Sequence, residues 1–132
     1  MDYESLVLLI VIHVVFDFVF QSREVAKNKS SKFNYLLTHL VILGFGLLLY
    51  TKFSGRYTAD QAMFFIYTNL ILHGIIDWNI WRGYKYLAIK RFPDLDPKTF
   101  PYYDDKVFYD FIALDQMLHA FCYLGIDYIV RS

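Results

Sequence analysis

Seven side chains in this sequence combine chelating chemistry with helical spacing. His13-x3-Asp17, His73-x3-Asp77 and Asp115-x3-His119 each set an imidazole and a carboxylate four residues apart, and His39 adds a fourth imidazole. Four-residue spacing stacks both groups on one face of an α-helix. Neutral imidazole and carboxylate oxygen together suit zinc, manganese or iron. Four histidines and three aspartates exceed the needs of one tetrahedral zinc, which takes four protein ligands or three and a water. The set therefore points to one or two divalent ions, zinc first, with an aspartate bridging a pair about 3.5–4 Å apart if there are two. The expected ligands are His13, Asp17, His39, His73, Asp77, Asp115 and His119. Asp17 or Asp115, where not committed to metal, is the expected proton acceptor. Gln21, Gln116, Lys27 and Lys29 are expected around the ligands, as their hydrogen-bond partners or as contacts to a substrate.

A single His/Asp pair at this spacing is more often a hydrogen-bonded pair holding helices together. Three pairs and His39 at one level are what carry the metal reading, with a proton relay or a structural polar network as its competitors.

These residues need elements to position them. Four apolar segments stand out, at about 5–21, 33–51, 61–81 and 107–130. The second runs nineteen residues without Asp, Glu, Lys or Arg. It and the third are long enough to cross a hydrocarbon layer of roughly 30 Å at about 1.5 Å per residue. Pro93, Pro97 and Pro101 all fall in one connector, so no apolar segment holds a helix breaker. The expected fold is all-α: a single four-span membrane domain over 1–132, a four-helix transmembrane bundle with a polar His/Asp layer in its cytoplasmic half.

Basic residues orient the segments. Arg23, Lys27, Lys29 and Lys32 lie in the first connector, and Arg82, Lys85, Lys90, Arg91, Lys98 and Lys106 in the third. Only Lys52, Arg56 and Arg131 fall on the other side. The positive-inside rule then places both basic connectors in the cytoplasm and both termini outside. Met1 to Glu4 carries acids where a signal peptide needs bases, so the first segment is expected to stay attached. Trp78, Trp81, Tyr84 and Tyr86 fit an interfacial aromatic belt. The first and third segments run toward the cytoplasm and the fourth away from it. The reversed spelling Asp115-x3-His119 therefore yields the same arrangement as the other pairs, aspartate nearer the cytoplasm and histidine one turn deeper.

Composition closes some alternatives. Thirteen basic and thirteen acidic residues cancel, which removes a whole-chain case for nucleic-acid binding. One cysteine, Cys122, excludes an internal disulfide and reads as an inert buried thiol. Asp110 and Asp127 read as interfacial. Asp94-x-Asp96 lacks the glycine and glutamate of a calcium loop. The stretch GYKYLAIKRF reads as a surface-lying helix or an amphipathic connector, whose basic residues, with Lys27 and Lys29, attract anionic headgroups or phosphate.

The pattern H-x3-D-F-x2-Q, a lone histidine, H-x3-D and D-Q-x2-H resembles a family of small bacterial and phage membrane proteins, domain of unknown function 3307. His13, Asp17, Phe18, Gln21, Lys29, His39, His73, Asp77, Asp115, Gln116 and His119 carry the resemblance over nearly the whole chain. Where the family often has a lysine within a turn of the third-segment aspartate, this chain has Asn79, Ile80 and Trp81. The resemblance implies a bacterial or phage source and a membrane location, and it supplies no reaction.

The functional expectation is a membrane-embedded metal-dependent hydrolase of the bacterial inner membrane, acting on a lipid or phosphoester at the cytoplasmic leaflet, with membrane lipids as partners and homo-oligomerisation left open. The alternative is a non-catalytic membrane protein, metal- or proton-handling or modifying a phage host's envelope, whose polar layer is structural. A soluble helical bundle with the same metal site is the third reading, suggested by the modest mean hydropathy of +0.32.

Overall fold

Buried positions recur every three or four residues along each long segment, which is the periodicity of a helix with one face turned inward. Leu9, His13 and Asp17 mark that face in the first segment, and Leu36, His39, Leu43, Leu47 and Tyr50 in the second. Ile66, Asn69, His73 and Asp77 mark it in the third, and Asp115, His119, Tyr123 and Ile126 in the fourth. A computed structural model describes residues 3–94, 96 and 102–132, and all regular structure among them is helical. The helices are α1 (Tyr3–Val14), α2 (Arg23–Asn28), α3 (Phe33–Ser54), α4 (Ala59–Arg91) and α5 (Lys106–Arg131).

α1, α3, α4 and α5 form the bundle. α1 packs on α3, α3 on α4 and α4 on α5, and His13 closes the ring by reaching Tyr123 and Gln116 on α5. The α3–α4 turn is tight because Gly55 takes a left-handed conformation, φ +60°, that only glycine enters at no steric cost. Thr58 and Gln61 then form a reciprocal capping box at the start of α4. Ser22 caps α2 through the Val25 N–H, and Asp105 caps α5 through the Val107 N–H.

Three departures from the sequence reading matter. The first segment is not one regular helix: α1 ends in a π-helical turn, Val15–Val19, closed by Phe20 N–H donating to the Val15 carbonyl at 3.1 Å. This wider turn carries Asp17, and such insertions are frequent at functional sites. The connector after it folds into the short α2. The stretch GYKYLAIKRF is neither a separate surface helix nor a connector, because α4 runs unbroken through it to Arg91; with no proline or glycine pair to break it, the i→i−4 ladder continues. Pro97, Pro101 and Lys98 lie outside the described residues, as does Met1.

The interior has three strata. At the end holding the termini, Leu9, Leu47, Tyr50, Phe65, Ile66, Tyr123 and Ile126 make an apolar core. The His/Asp layer lies next to it. Beyond that, Tyr84 packs among Phe108, Phe111 and Tyr102. Tyr84 is therefore an interior residue rather than part of a belt, its hydroxyl donating to Asp105 at 3.1 Å, whereas Tyr86 is exposed. Outward faces are apolar: Val7 and Val11 on α1, Val41, Phe45 and Leu48 on α3, Ile71 and Ile75 on α4, and Phe121 and Tyr128 on α5 are exposed. By length and composition, one described helix, α3, is long and apolar enough to cross a membrane, with a mean hydropathy of 1.7. α1 is too short without its π turn, and α4 and α5 carry acids that lower theirs.

Candidate metal centre

The inward faces bring all four histidines and the three aspartates of the sequence pattern into one buried layer. Asp17 comes from the π turn, His39 from α3, His73 and Asp77 from α4, and Asp115 and His119 from α5. Each is at most 2% exposed except His13, at 5%.

Asp77 is the hub. Its Oδ2 lies 3.0 Å from His39 Nε2 and 3.2 Å from His73 Nε2. His39 Nε2 is 2.9 Å from His73 Nε2 and 3.2 Å from Asp17 Oδ1. The other oxygen, Oδ1, faces His119 Nε2 at 3.7 Å, and that nitrogen is 3.6 Å from Asp115 Oδ1. Two groups result, Asp17/His39/His73/Asp77 and Asp77/Asp115/His119, each with ligand atoms close enough to hold a metal ion. Ligands at about 2.1 Å from a metal stand roughly 3.0 Å apart at right angles and roughly 3.4 Å apart at tetrahedral angles, so both groups have coordination-like spacing. Two ring nitrogens 2.9 Å apart also require a proton or a cation between them, because two lone pairs repel.

A cation stands beside this group. Lys29 Nζ lies 2.9 Å from Asp77 Oδ2, 3.3 Å from Asp17 Oδ1 and 3.4 Å from His39 Nε2. Burial works against its charge, but Asp77 and then Asp17 outweigh burial and hold its pKa above the ordinary lysine value. The connector that carries Lys29 inward is pinned by Lys85 of α4, whose ammonium donates to the Lys27 carbonyl, Ser30 Oγ and Ser31 Oγ at 2.9, 2.9 and 3.0 Å. Lys85 thus spends its donors inside the protein rather than on a headgroup. Lys27 contributes that carbonyl, and its side chain is exposed away from the layer.

Gln116 knits the layer, donating from Nε2 to Asp17 Oδ2 and Asp115 Oδ2, both at 3.2 Å. Its Oε1 stands 3.2 Å from His13 Nε2, and the Tyr123 hydroxyl 3.0 Å from His13 Nδ1. The consistent assignment has His13 donate from Nε2 and accept at Nδ1. Both its nitrogens are occupied, and His13 lies outside the two ligand groups. Gln21 is half-buried just past the π turn, and its Oε1 has no hydrogen-bond partner among the described residues. Tyr123 escaped the sequence reading, although His119-x3-Tyr123 repeats the same four-residue spacing. Two other expectations fail: Cys122 is half-exposed rather than buried, and Asp127 is buried, accepting from the Tyr57 hydroxyl at 2.6 Å.

Fold and centre together define a helical-bundle protein with a buried His/Asp/Lys layer whose two ligand groups share one carboxylate. The chain belongs to the family described as protein of unknown function (DUF3307), whose profile matches residues 5–131. No curated protein and no solved structure matches it.

Proposed function

We propose that this is an integral-membrane, divalent-metal-dependent hydrolase acting on a lipid or other phosphoester from the cytoplasmic leaflet of a bacterial inner membrane, its termini outside and its basic connectors in the cytoplasm. One observation carries the metal centre: Asp77 turns one oxygen to each of two buried ligand groups. The membrane reading is supported by an inverted arrangement, with charge inside and large apolar side chains exposed on every long helix, since ionisable groups within a bilayer face the bundle interior. A bound ion, zinc first among the candidates, would lower the pKa of a water and stabilise charge on an ester or phosphoryl oxygen. Asp17 and Asp115 are the acids nearest to hand for proton transfer.

Elemental analysis of detergent-purified protein tests the centre. Zinc, manganese or iron at about stoichiometric level in the wild type and lost in Asp77→Asn supports it. Metal content equal in both discards it. Metal-dependent release of product from phospholipids or phosphoesters tests the reaction.

The completeness of burial, with Asp77 and His39 at 0% exposed, favours a second reading: a non-catalytic protein in which the layer handles metal or protons, or sets helix packing. Flux of zinc or protons into vesicles without any hydrolysis supports that reading instead.

A further inference from the structure

The two ligand groups are not equivalent. Lys29 stands among three of the four members of the first group. In the second group, Asp77 Oδ1, Asp115 Oδ1 and His119 Nε2 are all buried atoms with no hydrogen-bond partner among the described residues. They face one another only as long ion pairs, at 3.6 and 3.7 Å, and buried polar atoms left short of hydrogen bonds are costly unless something binds there. Separations of 3.6 and 3.7 Å to His119 Nε2 are close to the roughly 3.4 Å edge of a tetrahedral zinc site. The layer also sets three carboxylates, Asp17, Asp77 and Asp115, against the one lysine, Lys29, a donor set suited to a cation.

We infer that the centre takes one divalent ion, held by Asp77 Oδ1, Asp115 Oδ1 and His119 Nε2 with its fourth position open, and that Lys29 is a built-in second cation standing where a second metal would stand. The inference rests on the metal reading above and narrows it. Three protein ligands and an open position are the arrangement of catalytic rather than structural zinc. Lys29 has no acceptor capacity, and Asp77 Oδ2 at 2.9 Å and Asp17 Oδ1 at 3.3 Å are the acceptors it occupies. A metal in the first group would have to displace the ammonium from Asp77 and Asp17, its ion-pair partners among the described residues. Asp77 then links the two cations through its two oxygens.

The test loads full-length, detergent-purified protein with zinc, removes the excess and measures zinc per chain, with helicity checked by circular dichroism. The expected values are about one zinc for wild type, near zero for His119→Ala, about one for His39→Ala and about two for Lys29→Met. Two zincs in the wild type, or loss in His39→Ala with retention in His119→Ala, overturns the inference while leaving the metal reading standing. Lys29→Met that stays at one overturns the role given to Lys29. No zinc in any folded variant, wild type included, sinks the metal reading and the inference with it. If Lys29→Met does not fold, the contrast between His119→Ala and His39→Ala still decides where the ion sits.

Discussion

Replacing Gly46 with alanine puts the packing that positions Asp17 under a measurable load. Gly46 lies on the inner face of α3 where α1 and its π turn press against it. A Cβ there would stand 2.7 Å from Phe16 Cγ, 2.8 Å from Phe16 Cδ2 and 3.2 Å from Ile12 Cγ2. The nearest atom is the root of the ring, so a simple swing of the side-chain tip gives no relief, and α1 must move. Overpacking of this kind costs about 1–3 kcal/mol, while alanine returns about 1 kcal/mol of helix propensity. Gly125 on α5 supplies the control, since a Cβ there meets nothing within 4 Å and the propensity gain is the same. The two variants should therefore differ by the packing cost alone, about 1–3 kcal/mol. At roughly 4 °C per kcal/mol for a chain of this length, Gly46→Ala should melt about 4–12 °C below Gly125→Ala when helicity is followed on heating in detergent. Phe16 immediately precedes Asp17, so the same displacement should loosen the Asp17–Lys29 pair. Gly46→Ala melting at or above Gly125→Ala would refute the close approach of α1 and α3.

Two further predictions address the supports of the site. Asp105→Ala removes the α5 cap together with its pairs to Arg91 Nη1 at 2.9 and 3.2 Å and to Tyr84, for an expected loss of about 1–3 kcal/mol at neutral pH. Burial pushes the Asp105 carboxyl upward, but the Val107 N–H, Arg91 and Tyr84 outweigh burial and hold its pKa below the usual carboxylate value. A depressed carboxyl stabilises the fold above its unfolded pKa and loses that contribution as pH falls through the folded value, so wild type and Asp105→Ala should converge in melts taken at increasingly acid pH; a constant gap would count against the charged pairing. Tyr123→Phe takes the hydroxyl from His13 Nδ1, which should cost about 0.5–1.5 kcal/mol and leave zinc content unchanged, because His13 lies outside both ligand groups. Zinc lost from a folded Tyr123→Phe would place His13 among the ligands after all.

Much of this was open to reading from the chain alone. Helix faces follow from spacing, so the pairing of His13 with Asp17, His73 with Asp77 and His119 with Asp115, and the all-α class, were visible without coordinates. The π turn was not, because nothing in HVVFDFVFQ distinguishes an i→i−5 turn from an α-helical one. Nor was the course of GYKYLAIKRF, whose composition suits an exposed amphipathic connector and the end of a long buried-faced helix equally well.

Local periodicity, a property of the backbone repeat, determined which imidazole stacks with which carboxylate. Tertiary structure alone decided which atoms meet across helices. It turned His13 toward Tyr123 and Gln116, divided Asp77 between two groups, and folded the Lys29 connector under the hold of Lys85. Those outcomes depend on how four helices rotate about their axes and where a connector lands, and no short stretch of sequence encodes either.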